Sequence, residues 1–336
     1  MSITFDKYWE QIRDRLESEF TALVPEFFGT ASGFPGTAVR RSLISGKRIR
    51  GCLVCLMCEA LGGSLEAASA AAVGIECVQA ASLIHDDYID GDRTRRNRPA
   101  EWTVQGSRQA VLLGDLMFAT VIHSMTRRRA AEGELIAKVV ASMARGAYEE
   151  HLDRMQLTGE PGTGCYDPKR YEYIIGLKTG ALFGTAAQLG AIAAGAGEPL
   201  QAQALRFGAC LGEAYQIVDD LVEVTDLLGR AHCSDGEMAA VAPAWLYFTP
   251  ADPVIVLAKL CGQPQADSAW LEREAPPVLA RMRSRIAERI RSALTVLEPF
   301  PEGPCRDLLG DMSGRAIAAM TDPAELPVAP LDTARE

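Results

Sequence analysis

Apolar residues in this chain recur at three- and four-residue intervals rather than in alternation, the spacing that lays a stripe along one face of a helix. The pattern predicts helices over residues 4–28, 36–61, 65–91, 104–130, 132–158, 168–194, 198–227, 238–262, 267–297 and 302–320. The breaks have local causes. Residues 29–37, GTASGFPGT, carry glycine and proline, Pro99 follows a charged turn, and Pro161, Gly162 and Gly164 fall between 159 and 168. No hairpin signal and no alternation of strands with helices is present, nor any repeat of solenoid length. The expected class is all-α. Nothing reads as a linker, so residues 1–321 are expected to form one domain. The stretch 322–336, DPAELPVAPLDTARE, holds three prolines and is expected to be a flexible tail.

Composition narrows this picture. The chain has 336 residues, 48% of them hydrophobic, enough for a large core and too many for disorder. No apolar run reaches the roughly 20 uninterrupted residues of a membrane span. The first twenty residues are charged and amphipathic, without the apolar stretch of a secretion signal. A cytoplasmic protein with no transmembrane segment is expected. The nine cysteines are scattered. Cys52, Cys55 and Cys58 repeat every three residues in an apolar stretch, as on one face of a buried helix, whereas a zinc site needs a second ligand pair and a turn. An odd count also argues against a disulfide framework. The net charge of −10 sets nucleic acid aside as a partner. An anionic small molecule would need local cations or bridging metal ions.

Both are present. In VQAASLIHDDYIDGDRTRRNRP, residues 78–99, an apolar run leads into Asp86, Asp87 and Asp90. In AYQIVDDLVEVTD, residues 214–226, another leads into Asp219, Asp220 and Glu223. At about 100° per residue, Asp86 and Asp90 share one helix face, as do Asp219 and Glu223. A solvated acidic face is the ordinary meaning of such residues, yet each triplet adjoins Ile, Leu and Val, where unpaired carboxylates repel one another and lose hydration. Two such pairs facing across a cavity suit hard divalent cations, because magnesium takes oxygen ligands and combines few carboxylates with substrate phosphate oxygens and water.

HDDYID followed by RTRRNRP resembles the first aspartate-rich motif and paired arginine of the trans-isoprenyl diphosphate synthases, the polyprenyl synthetase family that includes geranylgeranyl and farnesyl diphosphate synthases. YQIVDDLVE is similar to their second motif, with Glu223 for the usual last aspartate. GKRIR at 46–50 resembles their GKR-x-R segment and LKTG at 177–180 their Lys-Thr motif. The four occur in the family's order over about residues 40–235. The resemblance implies an isoprenoid synthase fold, a bundle of about ten or more helices around a deep central cavity, usually a homodimer. It implies a transferase of isoprenoid and terpenoid biosynthesis, a trans-prenyltransferase that ionises an allylic diphosphate such as farnesyl diphosphate and joins it to isopentenyl diphosphate.

The resemblance further implies a catalytic set of Asp86, Asp87, Asp90, Lys178, Asp219 and Asp220. About three magnesium ions would be held by Asp86, Asp90, Asp219 and Glu223 together with diphosphate. Arg95 and Lys178 would grip the allylic diphosphate, with Gln216 and Thr179 lining that end. Lys47, Arg50, Arg96 and Gln79 would form the isopentenyl diphosphate site, with Gly46 allowing close backbone approach. His85 is expected to be structural. Arg230 keeps the charge of a lysine that follows the second motif in the family. The chain then departs from the pattern: with Asp235 aligned, Ala240 and Ala242 stand where a lysine and a threonine belong, so one diphosphate-binding cation is missing. Trp102 stands near a customary histidine.

Val78, Ala81 and Ser82 precede the first motif where bulky residues would stop a growing chain. None is aromatic, which predicts a product of C20 or longer, with Met117 or Phe118 as an alternative floor. Two other readings stay open: a class I terpene cyclase or a prenyltransferase with an unusual acceptor on the same fold, and a non-catalytic partner subunit of a heteromeric synthase.

Overall fold

Nearly every helix that the apolar spacing predicts is present in the computed structural model, which describes residues 4–29, 36–43, 46–157, 166–228, 235–252, 256 and 268–318. Helices α1 to α4 span Phe5–Phe28, Gly36–Leu43, Ile49–Ala60 and Leu65–Ile89. Then come α5 Glu101–Gln105, α6 Ser107–Arg128, α7 Ala130–Leu157, α8 Arg170–Ile175, α9 Ala181–Ala193 and α10 Glu198–Leu228. The last three are α11 Asp235–Phe248, α12 Ser268–Val296 and α13 Pro304–Ala318. The protein is all-α, as expected. The 322–336 stretch, Arg230 and the end of the helix expected over 238–262 lie outside the described residues.

Three local departures from the expected pattern fall around one region. The single helix expected over 36–61 is two, parted at Gly46–Arg48, where Arg48 takes a left-handed φ of 56°. The helix expected over 168–194 contains a π-helical turn, Gly176–Gly180. The absence of a hairpin is also corrected. Strands β1 Thr94–Arg95 and β2 Arg98–Pro99 pair antiparallel, Thr94 opposite Pro99 and Arg95 opposite Arg98. Arg96 and Asn97 between them have φ of 52° and 59°, the positive values that a two-residue hairpin turn demands. Strands of two residues are too short to show alternation, which is why the sequence pattern misses them.

Two apolar cores meet along α10. The first gathers α1, α3, α4, α6 and α9 around residues such as Leu53, Leu56, Ile75 and Phe183. Helix α3 is apolar nearly all round and buried nearly all round, Cys52, Cys55 and Cys58 included. The second core gathers α8, α10, α11 and α12 around Trp245. Each fully buried large side chain contributes about 1.5–3 kcal/mol. Helices α9 and α10 cross at contact distance. A Cβ on Gly208 would lie 2.2 Å from the Phe183 carbonyl oxygen, so only glycine fits there.

Helix α4 starts on Ser64, whose hydroxyl accepts from the Ala67 N–H. Its run of small residues lets α3, α6 and α9 pack against it, and its C-terminal end carries the first carboxylate triplet. The expectation that no segment has the make-up of a membrane span is revised: α4 and α6 both pass by length and composition, with mean hydropathies of 1.5 and 1.2. In α4, 78% of that apolar window is buried inside the protein, as for a core helix; in α6 only 33% is.

Candidate active site

The three local irregularities and the ends of the two carboxylate helices enclose one cavity of about 980 Å³. Asp86 lines it from α4 and Asp90 from the residue capping α4; Asp219, Asp220 and Glu223 line it from the second half of α10. The cations and polar groups expected opposite them line it too: Lys47, Arg50, Gln79, Arg95, Arg96, Lys178, Thr179 and Gln216. Residues scattered from 47 to 223 in the sequence therefore share one space.

Each group is positioned by a neighbour. Trp9 Nε1 donates to the Lys47 carbonyl at 2.7 Å, tying the 46–50 segment to α1. Arg48 turns inward, pairing with Glu17 at 2.7 Å and with Glu76 at 3.6 Å. Gly46 is buried between the two basic segments: a Cβ there would lie 2.5 Å from Arg48 Nη1 and 3.3 Å from Arg96 Nη1. The arginine of the hairpin turn thereby meets the 46–50 segment. Arg50 stacks on Phe183, its guanidinium carbon 4.3 Å from the ring centre, and its buried Nε has no hydrogen-bond partner among the described residues.

The π-turn carries Lys178 and Thr179, and such turns recur at functional sites. Lys178 Nζ donates to Glu150 Oε2 at 2.5 Å. Thr179 donates to Gln216 Oε1 at 2.7 Å, Gln216 Nε2 donates to Asp220 Oδ1 at 3.0 Å, and Tyr171 donates to the other Asp220 oxygen. His85 is held by α6, with its Nε2 2.9 Å from the Val111 carbonyl oxygen and its ring edge-on to Phe118.

The electrostatics divide the cavity in two. Burial raises the Asp86 and Asp219 carboxyls above the usual carboxylate range, and like charges nearby add to the shift of Asp86. Burial, reinforced by Asp219, pushes Asp220 and Glu223 up to about 7, while Tyr171 and Gln216 oppose the shift at Asp220. On the other side burial lowers Arg50 and Arg96, and Arg96 adds its repulsion to Arg50. Carboxylates disfavoured as anions thus face guanidiniums disfavoured as cations; each set eases the other, but burial outweighs that help and leaves both short of counter-charge. The donor set fits magnesium: oxygen only, acidic, and arranged as pairs. Among the described residues no three His, Cys, Asp or Glu side chains converge tightly enough to hold an ion alone, which matches an ion that completes its shell with water and phosphate oxygens.

Several expected residues stand elsewhere. Asp87 is buried away from the cavity, its Oδ1 accepting from Arg95 Nε at 2.6 Å. It lines a smaller neighbouring cavity of about 370 Å³ with Arg41 and Glu101. Val78 and Ala81 are fully buried in the first core and do not line the large cavity; Ser82 does. They sit on the faces of α4 turned to its neighbours, since α4 is covered on several sides. Met117 is also fully buried, whereas Phe118 lines the cavity with Leu83, Val140 and Met143. Ala240 faces the cavity, but Ala242 is packed in the second core. Trp102 donates to the Asp92 carbonyl at 2.7 Å and stacks edge-on with Tyr88, outside the cavity lining. Glu150, Arg154 and Tyr171 are not distinguished by the sequence. YEEHLDRM, 148–155, reads as a solvated helical face, and only the packing of α7 turns Glu150 and Arg154 inward.

The sequence model described as polyprenyl synthetase matches residues 37–252. A short chain isoprenyl diphosphate synthase of Methanothermobacter thermautotrophicus is 34% identical over 240 residues, 68% of this chain and 69% of that protein. Component 2 of the heptaprenyl diphosphate synthase of Geobacillus stearothermophilus is 30% identical over 282 residues, 80% of this chain and 84% of that protein. Against several other curated relatives the chain spans only about half of their length. Among solved structures, the geranylgeranyl pyrophosphate synthetase of Geoglobus acetivorans superposes with a TM-score of 0.71 at 25% identity, covering 91% of this chain and 99% of that one.

Proposed function

The chain belongs to the polyprenyl synthetase family, and on that premise we propose that it is a magnesium-dependent trans-prenyltransferase joining an allylic diphosphate to isopentenyl diphosphate. The observation that carries the reading is the shared cavity, with carboxylates on α4 and α10 opposite arginines from the 46–50 segment and the hairpin. Magnesium and diphosphate together satisfy both sides.

Asp86, Asp90, Asp219 and Glu223 would hold the magnesium ions, about three in number. When bound, they neutralise the diphosphate as it departs. Arg95 and Lys178 grip the allylic diphosphate, aimed at the charge that develops on its oxygens. Asp87 and Glu150 keep these two cations in place until substrate engages them. Lys47, Arg50, Arg96 and Gln79 take the second diphosphate, with Gly46 admitting Arg96. The chain from Thr179 through Gln216 and Asp220 to Tyr171 locks the polar wall in one arrangement. Leu83, Phe118, Val140 and Met143 form an apolar wall that keeps water from the allylic cation. A volume of about 980 Å³ is at the upper end of ordinary ligand cavities and supports a product of C20 or longer, with Phe118 as its floor.

Helix α6 supports a homodimer, since an apolar helix with most of its window uncovered, Leu112 being 65% exposed, calls for a covering surface. A solution mass of twice 36.2 kDa is expected by light scattering. The activity test is incubation with farnesyl diphosphate and magnesium, with and without isopentenyl diphosphate, followed by product identification. An elongated diphosphate is expected. A hydrocarbon formed without isopentenyl diphosphate would replace the reading with a cyclase. No turnover of any allylic diphosphate would point to the partner-subunit role, in line with a relative named as a synthase component.

A further inference from the structure

Helix α7 sends into this cavity a cation to which no sequence motif gives a task. Arg154 lines the cavity beside the first carboxylate set. Its Nη1 donates to Asp90 Oδ1 at 2.5 Å and its Nη2 to Glu150 Oε1 at 3.3 Å. Its Nε is shut off from solvent and has no hydrogen-bond partner among the described residues. A buried N–H without an acceptor is rare enough in folded proteins to need a reason. The two existing contacts do not supply one. Glu150 already has Lys178 at 2.5 Å, and Asp90 is a carboxylate that the proposed function assigns to a metal ion. Glu223 of the second triplet also acts on the guanidinium through space, so Arg154 stands between the two carboxylate sets, where a leaving diphosphate would be held. Released from Asp90 by a metal ion, its planar fork can turn Nε and a neighbouring Nη to two phosphate oxygens at once.

We infer that Arg154 is a diphosphate-binding residue, gripping the allylic diphosphate from α7 on the Asp90 side of the cavity. This rests on the proposed function and adds to it a cation that the family resemblance does not include. It also offsets the loss of charge at Ala240, which faces the same cavity from α11, a helix packed against α7.

Titration calorimetry of the full chain with magnesium pyrophosphate reads the contact without turnover. Arg154→Gln is expected to weaken binding about 10- to 100-fold. Arg154→Lys, which keeps the charge and loses the fork, is expected to weaken it about 5- to 10-fold. In steady state, KM for the allylic diphosphate should rise in both variants while KM for isopentenyl diphosphate stays put, a split that a purely structural role would not produce. Unchanged binding in Arg154→Gln overturns the inference. So does tighter binding, which would mean that Arg154 only competes with metal for Asp90. If Arg154→Gln fails to fold, the lysine variant decides, with binding equal to wild type overturning the inference. A wild-type chain that does not bind magnesium pyrophosphate would overturn the proposed function itself, whereas wild-type binding with an unaffected glutamine variant sinks only the role of Arg154.

Discussion

Asp86 and Asp87 are neighbours in sequence with opposite situations. A helix turns about 100° per residue, so Asp86 reaches the cavity while Asp87 is buried against Arg95. Their substitutions should differ in kind. Asp86→Ala removes a proposed metal ligand and is expected to cut turnover about 100- to 1,000-fold with little change in thermal stability. Asp87→Ala frees Arg95 and removes a charged hydrogen bond, so it should lower the melting temperature as well, by the equivalent of about 1.5–3 kcal/mol. Parallel rate assays and thermal melts check both, and equal stability of the two variants would contradict the placement of Asp87. Ser82 is the one residue of the expected chain-length trio that lines the cavity. Ser82→Phe should therefore shorten the product, read by chromatography and mass spectrometry. Val78→Phe should instead destabilise the core by about 1–3 kcal/mol through overpacking.

At the scale of elements, the sequence is most legible where a helix has an apolar stripe and least where the backbone departs from a helix. The ends of α1, α4, α7 and α10 fall within a few residues of the apolar pattern, and both carboxylate triplets lie on helices as their spacing requires. The break at Gly46–Arg48, the hairpin at Arg96–Asn97 and the π-turn at Gly176–Gly180 are not written in periodicity, because one or two residues decide each. They are also the places that present Lys47, Arg50, Arg95, Arg96 and Lys178 to the cavity, so the motif matches point to the site while the pattern misses its scaffold. Glu150 and Arg154 were hidden for another reason: whether a charged helical face meets water or a cavity depends on packing, not on the helix itself. Helix α11 gives a direct test of an element as a carrier of charge. Ala240→Lys places an ammonium on its cavity face and should tighten magnesium pyrophosphate roughly tenfold, measured by calorimetry. Ala242→Lys, in the second core, should fail to do so and should unfold the region around Trp245.

The whole molecule carries a net charge of −10, yet the cavity between α4 and α10 is not simply acidic. Its carboxylates lie on helices of different cores, α4 in the first and the second half of α10 in the second, with Arg154 and Lys178 paired among them. Diphosphate entering alone would satisfy the arginines while facing six carboxylates, those of Asp86, Asp90, Glu150, Asp219, Asp220 and Glu223. Magnesium alone would satisfy carboxylates while facing Arg95, Arg154 and Lys178. Together they neutralise both walls and bridge α4 to α10. The coupling should appear as stability, because a ligand that binds only the folded state stabilises it by about 2.7 kcal/mol at one hundred times its Kd. Thermal melts with magnesium alone, pyrophosphate alone and both should therefore not be additive. Either alone should shift the midpoint by about a degree or less, and the pair by several degrees. Chelation of the metal should remove the pyrophosphate effect along with turnover. A full shift from pyrophosphate alone would mean that the arginines suffice and that the carboxylate helices serve some purpose other than holding metal.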